Sequence, residues 1–322
     1  MRIDPPAAAS PVARLQLIDM ARGLAVLAMV VYHFCWDLRY FGYIASDVEG
    51  GLGWRIFSHA TAGSFLVIVG ISLVLATRRG FDLRRFLRRL GVIVGAAAAI
   101  TFVTFFVFPE TYIFFGILHH IAVASVLGLL FLRAPILLVV GASIACFVAP
   151  PLLAGPAFDS PELIWLGLGS DFPRTNDFVP LFPWFGIVLA GIAATRLWPV
   201  YAPANLPISR VRVPWQLLWI GRQSLAIYLL HQPILFGLVY LAAQVYPPDF
   251  LGFEDAYLEN CVVSCVESEV ETEICRKTCA CAAEASQAAG LWSDLMRQTL
   301  SADQEQRYIV LVDQCRVEAE PR

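Results

Sequence analysis

Seven long apolar stretches constrain the fold of this 322-residue chain more than any other feature. Each holds about 20 largely apolar residues, the length of helix that crosses the hydrocarbon core of a bilayer. They cover residues 17–41, 58–77, 91–109, 114–132, 135–154, 179–198 and 218–245. The sequence therefore predicts an all-α fold, a polytopic membrane helix bundle of about seven spans.

Composition supports this prediction and excludes several classes of protein. Hydrophobic residues make up 58% of the chain and charged residues 15%, against about 45–50% and about 25% in soluble proteins. A soluble enzyme, a disordered chain and a nucleic-acid-binding protein are excluded on this basis. The lipid bilayer is the expected immediate partner.

Charge and cysteine content change sharply near residue 249. Residues 1–248 carry a net charge of +6, whereas residues 249–322 carry −9 and contain six of the eight cysteines. We therefore predict two domains. Residues 1–248 form the transmembrane domain, and residues 249–322 form a small, acidic, cysteine-rich helical tail.

The placement of the arginines predicts the orientation, because loops on the cytoplasmic side carry an excess of basic residues. With a cytoplasmic N-terminus, only Arg39, Arg55 and Arg174 of the membrane domain lie outside. Seven spans then place the tail outside the cytoplasm. The inner side holds Arg2, Arg14, Arg22, Arg78, Arg79, Arg84, Arg85, Arg88, Arg89, Arg133, Arg196, Arg210, Arg212 and Arg222.

The tail cysteines include two pairs spaced four residues apart, and residues at this spacing share one face of a helix. Two such pairs on antiparallel helices face each other. The predicted disulfides are Cys261–Cys279, Cys265–Cys275 and Cys281–Cys315. Six cysteines allow 15 pairings, so other connectivities remain open, as does a metal site, although the tail has neither histidine nor the C-x2-C spacing typical of metal sites.

Disulfides form in oxidising compartments, which agrees with a tail outside the cytoplasm. The cysteine spacing resembles the twin CX3C helical hairpins of small intermembrane-space chaperones. After this hairpin we predict an amphipathic stretch over residues 283–300. Ser301 and Gln304 then form a capping box at the start of a last helix over residues 302–317.

The first span contains ionisable residues, which are costly at membrane depth and therefore mark candidate functional sites. Arg22, His33 and Asp37 fall on one stripe of the helix, since each residue turns about 100°. Arg22 lies near the cytoplasmic end, and His33 lies about 16 Å further along the axis. The alternative is a polar stripe that only holds helices together.

The other histidines leave two interpretations open. His119 and His120 lie together in the fourth span, and one of them is expected to be structural. His231 precedes Pro233 in the last span and is either a site residue or a structural hydrogen-bonding group. His59 is expected at the membrane interface.

Several segments resemble bacterial membrane proteins of the heparan-α-glucosaminide N-acetyltransferase type, over about residues 14–245. The Arg22-x10-His33 spacing is also similar to the signature of the related family-3 membrane acyltransferases. The matching segments are Ile18–Ala25, His33–Leu38, Gly63–Gly70, Phe115–His119, Pro180–Gly186 and Ser224–Pro233.

The resemblance implies transfer of an acetyl group from cytoplasmic acetyl-CoA to an amine or hydroxyl of an extracytoplasmic glycan. It implies a multi-pass protein of the bacterial inner membrane with a periplasmic tail. The lysosomal relatives use a histidine in the first extracytoplasmic loop, but residues 42–57 contain none. The role of His33 therefore rests on the family-3 spacing.

Histidine suits this chemistry because its pKa lies near neutrality, and a carboxylate can orient its ring. The predicted catalytic residues are His33, Asp37 and His119. Cations are needed for the phosphates of the coenzyme. The predicted coenzyme-binding residues are Arg22, Arg78, Arg79, Arg84 and Arg85.

Two other functions remain open. The chain could be a non-catalytic assembly or accessory subunit whose tail binds a protein partner, or a transporter whose polar stripe carries protons or a solute. The sequence has no P-loop, G-x-S-x-G, H-E-x-x-H or dinucleotide fingerprint. This disfavours an ATP-driven pump and hydrolases of those types.

Overall fold

The structure is a computed structural model that describes residues 11–78, 80–170, 173–201, 213–248, 250, 252–268, 270–297 and 300–319. Arg2, Arg79, Arg210 and Arg212 lie outside the described residues. Within these ranges the regular secondary structure is helical and no strand occurs. The helices are α1 Pro11–Tyr40, α2 Leu52–Thr77, α3 Leu83–Val107, α4 Ile117–Phe131, α5 Ile136–Leu153, α6 Leu181–Tyr201, α7 Trp215–Arg222, α8 Ser224–Val245, α9 Glu254–Glu267, α10 Thr272–Ala288, α11 Trp292–Met296 and α12 Ala302–Ala319.

Six helices of the described chain are long and apolar enough to cross a membrane: α1, α2, α3, α5, α6 and α8. They confirm a polytopic helical membrane protein. The predicted fourth span corresponds to α4, which has only 15 residues. A helix of that length rises about 22 Å, less than the hydrocarbon thickness of about 30 Å.

The start of α4 explains its length. The Thr101 hydroxyl of α3 donates to the carbonyl of Ile113 at 2.7 Å, and the Ile113 N–H donates to the Thr104 hydroxyl at 3.0 Å. The segment before α4 therefore runs back along α3, whose last residue, Val107, lies about 9 Å beyond Thr101 along the axis. That this segment and α4 together cross the membrane, as the fourth of seven spans, stays a prediction.

Contacts divide the chain into two units. The first comprises residues 1–29 and 57–230 and contains the main apolar core, in which Leu66, Leu189 and Ile192 are fully buried. Gly70 allows α2 and α6 to approach closely there, since a Cβ at this position would meet the backbone of Val188 and Ile192. Arg196 stabilises the C-terminus of α4 by donating to the Phe131 carbonyl at 3.1 Å.

The second unit comprises residues 30–56 and 231–322. In its tail, α9 and α10 form a hairpin that two disulfides connect, and a third disulfide joins α10 to α12. The bridges are Cys261–Cys279, Cys265–Cys275 and Cys281–Cys315, so the predicted pairing is confirmed. All six tail cysteines are therefore disulfide-bonded and are not available as metal ligands.

The same unit joins the tail to the C-terminal part of α1 and the loop after it. Phe250, Phe253 and Trp292 form a small core against Ala45. The guanidinium of Arg39 lies 4.1 Å from the centre of the Phe253 ring, a favourable cation–π arrangement. The tail thus packs on residues of α1 and of the loop after it, within one unit.

Three details differ from or refine the prediction. The amphipathic stretch over residues 283–300 is broken, because Gly290 has a φ of +68° between α10 and α11. The predicted last span divides at Gln223 into α7 and α8. The capping box is confirmed: the Ser301 N–H donates to Gln304 Oε1 at 2.8 Å, and α12 begins at Ala302.

Candidate functional site

Four side chains from α1 and α8 meet in the second unit. The rings of His33 and His231 contact edge to face, with centroids 5.0 Å apart. The Gln232 amide donates to Asp37 Oδ1 at 2.7 Å. The predicted histidine–carboxylate pair of α1 is therefore joined by a histidine–glutamine pair of α8.

Burial makes this cluster unusual. Asp37 is 0% exposed and His231 is 9% exposed. Asp37 Oδ2 and Gln232 Oε1 are buried and have no hydrogen-bond partner among the described residues. A buried acceptor without a donor costs about 1–3 kcal/mol. Both oxygens can accept N–H or O–H groups, so a bound molecule with such donors would satisfy them.

Helical spacing explains half of this arrangement. His33 and Asp37 are four residues apart in α1, so they share a face. Sequence reasoning considered His231 but missed Gln232, because a neutral amide gives no signal of its own. The signal that could have found it was the adjacent His231-Gln232-Pro233 segment, where polar residues precede a proline inside a membrane helix.

The first unit contains a cavity of about 600 Å³ between α1, α2, α3, α4 and the start of α8. Four arginines contribute to its wall, and most of the remaining lining is apolar. Arg22 and Arg85 were predicted as coenzyme ligands and line the cavity. Arg78 and Arg84 are not among its lining residues. The lining arginines are Arg22, Arg85, Arg88 and Arg89.

Arg22 is held in place by neighbouring polar groups. Its guanidinium donates to the Ser72 hydroxyl at 2.6 Å and lies 3.7 Å from the Asp19 carboxylate. Arg222 also binds Asp19, at 3.2 Å. Gly221 packs directly on the backbone of Asp19, so this position has no room for a side chain. The network orients Arg22 toward the cavity.

The wall further from the arginines is largely apolar. Tyr228 lines it and packs against Ala96 and Leu118. Ala96 follows Arg89 by seven residues in α3, a rise of about 10 Å. The cavity thus offers cations at one end and an apolar wall with a hydroxyl at the other. This combination suits an anionic ligand with a less polar arm.

His119 uses both ring nitrogens locally. Its Nδ1 accepts the Gly116 N–H at 3.2 Å, and its Nε2 lies 3.1 Å from the Thr101 hydroxyl. Because that hydroxyl donates to Ile113, the imidazole must donate to it through Nε2. These contacts fix a neutral tautomer and favour a structural role. The catalytic role of His119 stays a prediction.

Asp177, in the connection between α5 and α6, stabilises the start of α4. Its Oδ2 accepts the N–H of Ile117 at 3.0 Å, and Gly116 leaves no space for a Cβ beside the carboxylate. Burial raises the pKa of the Asp177 carboxyl to about 6, while the Ile117 hydrogen bond lowers it in part. Sequence reasoning missed this residue because its neighbours are distant in the chain.

Comparison with known families decides which kind of protein carries these features. A sequence model of the heparan-alpha-glucosaminide N-acetyltransferase catalytic family matches residues 14–233. The chain belongs to this family. The match to this acetyltransferase family contains the His33 cluster and every residue that lines the cavity, and it ends before the tail. No curated protein and no solved structure gives a significant match.

Proposed function

We propose that this member of the acetyltransferase family moves an acetyl group from cytoplasmic acetyl-CoA to an amine or hydroxyl of a glycan outside the cytoplasm. The observation that carries the proposal is the cavity lined by four arginines. A bacterial inner membrane with the tail on its periplasmic side is the setting in which this reaction is expected.

The donor side of the proposed reaction uses the cavity. Guanidinium groups bind phosphate oxygens through paired, charge-assisted hydrogen bonds. Arg22, Arg85 and Arg89 would hold the phosphates of the coenzyme, and its acetyl-bearing arm would extend along the apolar wall toward Tyr228. The Arg22–Ser72 and Arg22–Asp19 contacts limit the orientations of one of these cations before the ligand arrives.

The acceptor side uses the second unit. The nitrogen or oxygen of the acceptor attacks the thioester carbonyl carbon, the carbon–sulfur bond breaks, and coenzyme A leaves as a thiolate. His33 takes the proton that the acceptor loses. Asp37, fixed by Gln232, would orient and stabilise the protonated ring. The unpartnered oxygens of Asp37 and Gln232 would accept hydrogen bonds from the acceptor.

A binding and transfer assay tests the proposal. Purified protein in detergent is mixed with acetyl-CoA labelled in the acetyl group, and bound label and released coenzyme are measured. We expect Arg89→Ala to weaken binding by about 10- to 100-fold, because a hydrogen bond to a charged group contributes about 1.5–3 kcal/mol.

Arg133→Ala is the matched control. This exposed arginine belongs to the connection between α4 and α5 and is not among the residues that line the cavity. Equal losses in both variants, or no specific binding by the unmodified protein, would contradict the proposal. Stable purification with a large complex, without acetyl transfer, would instead support the accessory-subunit alternative.

A further inference from the structure

Two residues of α8 that carry hydroxyl groups, Ser224 and Tyr228, line the cavity together with its arginines. Within the part of the chain that the structure describes, they are the polar lining residues other than the four arginines, and the rest of the wall is apolar. They are four residues apart, so they lie on one face of α8 and about 6 Å apart along its axis. The cavity therefore has two hydrogen-bonding positions at a fixed interval on an otherwise apolar wall.

The two residues follow the arginines in order along the cavity. Ser224 follows Arg222 by two residues, and Arg222 binds the Asp19 carboxylate at 3.2 Å. The same carboxylate lies 3.7 Å from the Arg22 guanidinium, so Ser224 is at the arginine end. Tyr228 lies one turn further along α8, at the apolar end. All of these residues belong to the first unit. A ligand whose phosphates bind the arginines would therefore meet Ser224 first and Tyr228 second.

The arm of acetyl-CoA carries two amide groups between its phosphates and its thioester. One β-alanine unit separates them, so they are about 5 Å apart in an extended arm, since an ordinary residue spans about 3.8 Å and β-alanine has one more methylene. Burial of an amide group against apolar side chains is costly unless the amide is hydrogen-bonded. The arm therefore needs two hydrogen-bonding partners at an interval close to the one that α8 provides.

We propose that Ser224 and Tyr228 bind the two amide groups of the coenzyme arm and thereby fix the position of the thioester relative to the arginines. This inference rests on the proposed function and assigns the residues that select a donor with this arm. Ser224 binds the amide nearer to the phosphates, and Tyr228 binds the amide nearer to the sulfur. A hydroxyl group donates one hydrogen bond and accepts others, so each can bind the carbonyl or the N–H of an amide.

Two variants and two ligands separate recognition of the arm from phosphate binding and from packing. Ser224→Ala and Tyr228→Phe each remove one hydroxyl group and keep the apolar part of the side chain. Adenosine bisphosphate, the phosphorylated nucleoside of the coenzyme without its arm, is the second ligand beside acetyl-CoA. The affinities for both ligands are measured by equilibrium binding to the purified protein in detergent.

We expect each variant to bind acetyl-CoA about 10-fold more weakly, because one buried amide group of the arm then lacks its partner. The affinity for adenosine bisphosphate should stay unchanged in both variants, since this ligand has no amide arm. Arg89→Ala should instead weaken the binding of both ligands, because both bind through phosphates.

Two matched controls remove hydroxyl groups from residues that are not among those lining the cavity. The Ser64 hydroxyl donates to the Thr61 carbonyl within α2, and the Tyr43 hydroxyl donates to the Tyr246 carbonyl in the second unit. Ser64→Ala and Tyr43→Phe should bind both ligands as the unmodified protein does.

The interval between the two hydroxyl groups gives a second test. An acetyl-CoA analogue with one extra methylene between its amide groups shifts the second amide by about 1.3 Å. The unmodified protein should bind this analogue about 10-fold more weakly than acetyl-CoA, the loss expected for one buried amide without its partner. A double variant with Ser224→Ala and Tyr228→Phe should bind both arms equally, because the groups that distinguish them are absent.

The outcomes distinguish the two proposals. An unmodified protein that does not bind acetyl-CoA overturns the proposed function, and this inference with it. If the unmodified protein binds acetyl-CoA, normal affinity in either single variant overturns the inference alone. Equal losses of affinity for acetyl-CoA and adenosine bisphosphate show a packing role and also overturn it. If Tyr228→Phe fails to fold, Ser224→Ala and the longer analogue decide the matter.

Discussion

His33 and His119 are both histidines of membrane helices, yet their surroundings give them different capacities. Both nitrogens of His119 are committed to the turn that starts α4. The ring of His33 contacts the rings of Tyr32 and His231, and no hydrogen bond occupies its nitrogens within the part of the chain that the structure describes. A general base must offer a nitrogen to the substrate, so the two histidines should respond differently to mutation.

We expect His33→Ala to reduce the rate of acetyl transfer by about 10²–10⁴-fold, the range for a positioned acid–base group. Asp37→Asn should cause a smaller loss, because the imidazole remains but its charged form is less stabilised. His119→Ala is the comparison: it should lower the unfolding temperature more than the rate. If the His119 variant had no acetyl-transfer activity while the His33 variant remained active, the catalytic histidine would be His119 of α4.

Two glycines of α2 test the packing of the membrane core at the scale of elements. A Cβ at Gly70 would meet the backbone of α6, including the Ile192 nitrogen at 2.9 Å, whereas a Cβ at Gly63 would lie 3.5 Å from a methyl group of Ile187. Gly70→Ala should therefore destabilise the protein by about 1–3 kcal/mol, as overpacking does. Gly63→Ala should be neutral or stabilising by up to about 1 kcal/mol.

Thermal unfolding of both variants in detergent measures this difference. The two substitutions change helix propensity equally, so only the neighbouring atoms distinguish them. A lower unfolding temperature for Gly63→Ala than for Gly70→Ala would contradict the close approach of α2 and α6.

The disulfides of the tail give a second test at this scale. On denatured, unreduced protein, thiol labelling should detect two thiols, Cys35 and Cys146, and reduction should expose all eight cysteines. Each bridge should also raise the free energy of unfolding by about 2–4 kcal/mol, because it restricts the conformations of the unfolded chain. Labelling of six or more thiols before reduction would show that the tail is not oxidised.

The elements also show what the sequence can and cannot predict. The cysteine pairing was predictable because cysteines four residues apart lie on one helical face, and the capping box of α12 is a local pattern. Asp177 was not predictable as a contact of α4, because 60 residues separate it from Ile117. The division at Gln223 was missed because the apolar stretch continues on both sides of it.

The orientation of the whole molecule depends on whether α4 crosses the membrane. If α4 and the segment that runs back along α3 together form one crossing, as we predict, the protein has seven crossings and the tail lies on the side opposite the N-terminus. A phosphatase fused to the C-terminus should then be active, and one inserted between α2 and α3 should be inactive. Activity only at the internal position would show that the orientation is the reverse of the predicted one. The tail would then lie in the cytoplasm, outside the oxidising compartment that disulfides need.

The second unit combines residues 30–56 with residues 231–322, so its parts are synthesised at opposite ends of translation. Until the last third of the chain has left the ribosome, the early segment lacks two of its contacts. Asp37 has not yet met Gln232, and Arg39 has not yet met Phe253. Removal of the tail would therefore remove a contact of a helix that is made first. On this view, oxidation of the tail is a late maturation step, and a cell that cannot oxidise thiols should accumulate membrane-inserted protein whose tail does not yet hold its contact with Arg39.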